Sequence, residues 1–260
     1  RFAVTAADNG AAKLLPDGTT VRFVPDAEYY GEASFSYTAY VADVAVLQGT
    51  VNILVTPPGV ADPVFWDGGA GTSNWNDAAN WSPDWLPGSA DDVLISGPGD
   101  LNVYFSDYRA IRSLHCRETL TISSGSLAIV NTDPEPGLSP VPSEISNLQW
   151  LGGTITGSAD TTILVDASMN MSSGTLDGPK LVIGQNAAAV WTPGGPFYLG
   201  HGAKLENEGT FTIHCESGTY CLGRIWSAPS RTGTIENRGT LVKEGAGRIW
   251  GPGGWGYGGM

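Results

Sequence analysis

Basic residues are scarce in this chain: 13 Lys and Arg stand against 26 Asp and Glu in 260 residues, for a formal net charge of −13 and a pI near 4.4. That balance excludes binding to nucleic acid or anionic membrane through bulk electrostatics, and it suits a soluble or surface-displayed protein. Cysteine is equally sparse. Cys116, Cys215 and Cys221 are too few for a disulfide scaffold. No apolar run approaches the ~20 residues that a membrane helix needs, and no signal peptide is visible. The chain begins at Arg1 in a strand-like run. It therefore reads as a processed chain or a piece of a longer one, and missing targeting signals carry no location. Charged residues make up only 15% of the chain, and faces of Leu, Glu, Lys and Ala at helical spacing are almost missing, which excludes a helical protein.

Glycine is abundant, with 36 residues, and it recurs in a pattern. A glycine, one further residue (usually Ser or Thr) and a large apolar residue appear as Gly125-Ser126-Leu127, Gly153-Thr154-Ile155, Gly174-Thr175-Leu176, Gly195-Pro196-Phe197, Gly218-Thr219-Tyr220 and Gly239-Thr240-Leu241. The glycines lie 28, 21, 21, 23 and 21 residues apart. A unit of this length cannot bury its own apolar face and must stack on its neighbours. Between the glycines lie Ser, Thr, Asn and β-branched residues in short alternating runs, which predicts strands. The expectation is a right-handed parallel β-helix with a glycine at a corner of each coil. The 28-residue interval has a simple cause in the Pro-rich insertion at residues 131–143. A competing phase pairs Asn207-Glu208-Gly209-Thr210-Phe211 with Asn237-Arg238-Gly239-Thr240-Leu241 at a spacing of 30 and leaves the rung boundaries after Gly195 open. Inward positions are predicted to include Leu127, Ile129, Ile155, Leu176, Ile183, Phe197, Leu199, Tyr220, Leu222 and Leu241, with Ile155, Leu176 and Phe197 in one vertical file.

Residues 1–58 read differently, as short strands separated by turns such as Pro16-Asp17-Gly18. Asp17-Gly18-Thr19, Val21, Phe23, Pro25, Tyr30-Gly31, Ser34-Phe35, Tyr37-Thr38 and Thr50-Val51-Asn52-Ile53 together resemble the C-terminal half of the cadherin-like, immunoglobulin-fold repeats of large bacterial surface proteins. The stretch from Val41 to Gly49 is more apolar than the Asp-Gly turn usual in that family. About four strands are supplied where such a sandwich takes about seven. An edge left open in this way could be completed by a neighbouring molecule through strand addition. Residues 57–63, rich in Pro and Gly, mark the domain boundary.

The segment from Phe65 to Ile95 holds four of the nine tryptophans, Trp66, Trp75, Trp81 and Trp85. Its sequence of Trp66-Asp67-Gly68-Gly69, Asn80-Trp81, Leu86-Pro87 and Asp91-Asp92-Val93 resembles the opening motif that precedes β-helical, passenger-like regions in secreted proteins of planctomycetes and other bacteria. Most of those proteins have no assigned activity. Three readings of the segment stand. It can cap the first coil, whose interior would otherwise face water. The indoles of Trp66, Trp75, Trp81 and Trp85 can form a platform for an extracellular glycan. The oxygens of Asp67, Asp77, Asn80, Asp91 and Asp92 can hold a structural Ca²⁺, although no DxDxDG loop is present.

The acidic residues of the repeat region offer no paired recurrence on neighbouring rungs, and Asp166 and Asp177 lie about half a rung apart. Glu206 and Glu236 occupy equivalent positions and read as an outward solvated stripe. His115-Cys116, His214-Cys215 and His201 match no metal-ligand spacing. No GxSxG, HExxH, P-loop or dinucleotide fingerprint occurs, so no enzyme is expected. Cys215 and Cys221 are close enough to pair across a turn, while parallel coils also bury free cysteines in inward stacks.

The expected architecture is thus all-β: a partial immunoglobulin-like β-sandwich (1–58), a linker and Trp-rich cap (59–110), and a right-handed parallel β-helix of about six rungs (111–260). The glycine-rich tail shows no capping helix, and an uncapped coil is a template for another. The function expected is a structural one: a subunit or module of an extracellular or cell-surface fibre, filament or adhesin. Its partners would be further copies of itself or other domains of a longer parent chain. A carbohydrate-binding module is the second reading.

Overall fold

Alternation and turn chemistry dictate strands throughout. In the computed structural model the described residues are 1–27, 29–57, 60, 63–97, 100–131, 142–214, 220–221, 233–246 and 248–249, the residues at 220, 221, 248 and 249 through their backbone alone. Among them every regular element is a β-strand except one 3-10 turn, Ala78–Asn80. The chain is all-β, and among the described residues no helix is long and apolar enough to cross a membrane. It divides into two units, Arg1–Asp62 and Pro63–Met260.

In the first unit Phe2–Asp8, Gly31–Val41 and Val44–Val55 form a three-stranded antiparallel sheet, and Gly10–Leu14 pairs with Val21–Pro25 as a hairpin. The Asp-Gly-Thr motif is the turn of that hairpin. Gly18 takes φ +72, and the Asp17 carboxylate accepts hydrogen bonds from the Thr19 and Thr20 backbone N–H groups at 3.1 and 2.9 Å. These bonds, with one from the Thr20 hydroxyl, hold the Asp17 carboxyl below its ordinary range. The apolar run after Val41 is a strand. Ala42 and Asp43, both at positive φ, make a two-residue turn that sends Val44–Val55 back along Gly31–Val41. Phe23 of the hairpin stacks on Phe35 of the sheet with ring centroids 6.4 Å apart.

The second unit stacks parallel strands at intervals set by the glycine repeat. One sheet runs through Tyr108–Ile111, Ser126–Ile129, Thr154–Gly157, Gly174–Asp177 and Phe197–Gly200. The other is built on the long strands Ser113–Ile122, Ser143–Trp150 and Thr162–Met171, which slip register near Cys116 and Ile145 and so divide into two halves. Asp92–Ile95, Lys180–Ile183, Lys204–Asn207 and Thr234–Asn237 continue the first half. Asn102–Phe105, Ala188–Trp191, Thr210–His214 and Thr240–Glu244 continue the second. Parallel stacking therefore begins inside residues 59–110, which supply strands as well as the tryptophans.

Because side chains alternate, register stacks like on like. Leu127, Ile155, Leu176 and Leu199 form one buried file, and Phe105, Ile122, Trp150, Met171, Trp191 and Ile213 another. The predicted file is thus corrected in its last member. Leu199 sits on Leu176, while Phe197 pairs with Gly174. The cause is Trp150, whose ring meets Phe197 edge-on at 5.3 Å in the space that a Gly174 side chain would fill. A Cβ on Gly174 would lie 2.6 Å from Trp150 Nε1, at a φ of +147 that L residues avoid. Leu241 is a second correction. It stacks on Phe211 as an inward residue should, yet it is 51% exposed, because no strand lies beyond Thr240–Glu244 among the described residues. The spacing-30 phase describes this end, since Asn207 pairs with Asn237 and Gly239 packs on Gly209. Gly218 and Leu222, and the Tyr220 side chain, lie outside the described residues.

Candidate functional site

The tryptophan segment is placed by Val64–Trp66, which pairs parallel to Asp92–Ile95 on one side and antiparallel to Trp81–Ser82 on the other. Trp81 meets Trp66 at 5.0 Å and Trp75 at 4.7 Å, both edge-on, and Trp75 meets Phe105 at 5.3 Å. The Trp81 Nε1–H donates to the Trp75 carbonyl at 2.8 Å, and Trp75 is tied to the strand Asn102–Phe105 by its N–H on the Tyr104 carbonyl. The segment ends the sheet in a two-residue strand, which leaves little edge. Trp66, Trp75 and Trp81 are buried, with their ring faces and edges against one another and the core. Trp85 is 54% exposed. A sugar platform needs an open indole face, and of the four predicted tryptophans only Trp85 offers one.

The five predicted oxygen ligands are engaged by nearby protein groups. Asp67 Oδ1 accepts from the Gly69 N–H at 2.9 Å, and Asp91 Oδ2 from the Gly88 N–H at 2.7 Å. Asp77 accepts from the Thr72 hydroxyl. Asn80 is buried and fully used: its Oδ1 accepts from the Ala70 N–H, and its Nδ2 donates to Thr72 Oγ1 and the Asn74 carbonyl. Asp92 is buried beneath Arg112, which meets both of its oxygens, and it also accepts from the Ser113 hydroxyl at 2.5 Å. That pair holds the guanidinium still further above its ordinary pKa. Among the described residues no three His, Cys, Asp or Glu side chains converge, so these carboxylates tie down loops rather than assemble in one cage.

The opposite end of the unit is where sequence reasoning went astray. Glu206 belongs to no solvated stripe; its side chain is 4% exposed. It stacks in register on Glu236, and Lys204 and Arg238 hold the two like charges together. Arg238 Nη1 lies 2.5 Å from Glu206 Oε1 as an ion pair. On the inward side Asn207 is buried and donates from Nδ2 to Asn237 Oδ1 at 2.6 Å and to the Thr240 carbonyl at 2.9 Å. The signal was the repeated Leu/Ile-Glu-Asn, readable as a ladder once the spacing of 30 is adopted. Above it Ile235 is 40% exposed. Among the described residues nothing pairs the outer edge of Thr234–Asn237 or Thr240–Glu244.

The first unit ends in a similar edge. Val44–Val55 pairs only with Gly31–Val41 among the described residues, and Val44, Val46 and Leu47 are exposed beside it. This strand contains no Lys, Arg, Asp, Glu or Pro.

The remaining titratable groups serve the fold. Cys116 is buried in the inward file between Ile95 and Ile145, and burial pushes its thiol up to about 12. Its neighbour His115 faces the other way, and burial pulls the imidazole below its ordinary 6.5 against the opposing pull of Glu144 and Asp92. Glu118, raised by burial, accepts from the Gly97 and Leu101 N–H groups. His201 contacts Asp177 at 2.6 Å and His214 contacts Glu244 at 3.1 Å. The Cys215–Cys221 pairing lies outside the described residues. No family model, curated protein or solved structure matches this chain.

Proposed function

We propose that this chain is an extracellular structural module, part of a surface fibre, filament or adhesin, that assembles with further copies of itself through open β edges. In this reading the first unit is a partial immunoglobulin-like sandwich and the second a right-handed parallel β-helix capped at its start by Trp66, Trp75 and Trp81. The observation that carries the proposal is the uncharged edge strand Val44–Val55, whose outer side pairs with nothing among the described residues and along which Val44, Val46 and Leu47 are exposed. Proteins ordinarily blunt such an edge with Lys, Pro or a bulge; this strand has no Lys or Pro, and its one register shift, at Val46, leaves the run from Leu47 to Val55 regular and open to another strand. The exposed Ile235 and Leu241 on the outermost described strands of the second unit support a second contact.

Light scattering and electron microscopy of the purified chain test this. Assemblies that grow with concentration are expected, and Val46→Lys, which places a charge in the edge strand, is expected to reduce them. A chain that stays monomeric across the accessible concentration range sinks the proposal.

A further inference from the structure

The second half of the long sheet carries an outward surface that neither the cap nor the open edges use. Its strands Ser143–Trp150, Thr162–Met171 and Thr210–His214 bury alternate residues in this half, so the residues between them point away from the core. One file on the face away from the core climbs from Tyr104 through Thr121, which is buried, and then Gln149, Asn170, Val190 and Thr212 to Val242. A second, two residues earlier in each strand, runs beside it from Asn102 to Thr240. Across seven strands neither file contains a charged residue. The same sheet carries Glu144, Lys180, Lys204, Glu206 and Glu236 on its first half, and Lys243 and Glu244 at the end of its last second-half strand, outside both files.

The side chains of this face are ordered. The Thr121 hydroxyl donates to Asn102 Oδ1 at 2.8 Å and the Ser168 hydroxyl to Asn147 Oδ1 at 2.7 Å, which orients both carboxamides. The Tyr104 ring stands at the foot of its file, 50% exposed. Hydroxyls, amides and one open aromatic ring thus repeat at the strand spacing of ~4.8 Å over a rise of ~29 Å. A protein interface would need large aliphatic or aromatic anchors at its centre, and the central residues of this face are Asn147, Gln149, Ser168 and Asn170, with Val190 and Ala188 beside them.

We propose that this face binds a neutral, extended polysaccharide lying across the strands, with the amides and hydroxyls meeting its hydroxyl groups and Tyr104 stacking on a sugar ring. The site shares no residue with the predicted tryptophan platform or with Val44–Val55, and its last members, Thr240 and Val242, lie on the outermost described strand, on either side of Leu241. Its chemistry selects against acidic glycans, because the protein carries −13 and this face supplies no cation to pair with a carboxylate.

The test is co-sedimentation of the whole chain with insoluble cellulose and chitin, and calorimetry with soluble xylan, each at low and high salt, with alginate as the acidic control. Binding to at least one neutral probe is expected, changing less than about twofold with salt because no ion pair is made. Asn170→Lys and Asn170→Glu, of opposite sign, should each weaken it by roughly tenfold or more, since either buries an unpaired charge under the ligand. Tyr104→Ala should weaken it too, and Thr175→Glu on the other sheet should not. Thermal melting of each variant separates lost binding from lost folding. The proposal is overturned if the wild type binds none of the neutral probes, or if both charges at position 170 leave binding unchanged. It is likewise overturned if those variants alter particle size without any glycan having bound, which would make the face a contact between copies. Monomeric protein that still binds glycan would remove the assembly reading and leave this one standing.

Discussion

Cys116 and His115 are neighbours in the chain with opposite surroundings, and each supports a prediction. The Cys116 thiol, raised to about 12 within the apolar file, has almost no thiolate at neutral pH. Peptide mapping after iodoacetamide treatment should find Cys116 unmodified in the native protein and modified in urea. His115 is neutral in the folded state at a pH where the unfolded chain already binds a proton. Between the depressed native value and 6.5 the unfolded state holds more protons, so stability falls as pH drops below 6.5. In urea titrations across that window His115→Gln should lose less stability than the wild type; equal slopes would show that the imidazole is not the sensor. Trp75 and Trp81 teach the same lesson at larger volume: side chains that look like a binding surface in one dimension close a core in three.

Strand register decides which of these side chains meet. Leu176 takes Leu199 and not Phe197 as its neighbour because Trp150 and Phe197 share the room that Gly174 leaves. Gly174→Ala should therefore cost ~1–3 kcal/mol, since the new methyl meets the indole and the backbone is held at positive φ. Gly202, also at positive φ but with open space around it, should tolerate Ala at a cost of ~1 kcal/mol or less. Ile155→Ala, which empties a site between Leu127 and Leu176, should cost ~2–5 kcal/mol. Chemical denaturation of the three variants checks the order. If Gly174→Ala proves no worse than Gly202→Ala, the packing account of the Trp150 corner fails.

Electrostatics limits how the whole molecule meets its own copies. At −13, two chains repel except where an uncharged surface is presented, and Val44–Val55 is such a surface. Added salt screens the repulsion without weakening strand pairing, so assembly should increase with ionic strength when followed by light scattering. Pairing of this edge with the same edge of a second copy is two-fold and closes on itself. A filament then needs a further contact, and the exposed Ile235 and Leu241 are in position to supply it. Val46→Lys combined with Leu241→Lys should reduce particle size more than either alone if both contacts operate.

Composition alone determined that the chain is all-β, and the glycine period of about 21 determined that parallel strands follow one another, because a short apolar run flanked by glycines has no other way to bury its face. Seven of the ten predicted inward residues could be read from alternation and are buried: Leu127, Ile129, Ile155, Leu176, Ile183, Phe197 and Leu199. Tertiary structure decided what a period cannot encode. Whether the parallel strands after Gly195 recur at 21 or 30 depends on which turn a glycine occupies, and the Asn207 bond to Asn237 selects 30. Whether an acid is solvated or buried depends on the cations that its neighbours in register bring, as Lys204 and Arg238 do for Glu206. Whether an aromatic ring faces a ligand or the core depends on how much interior is left to fill, which is a property of the packed molecule and of no single stretch of chain.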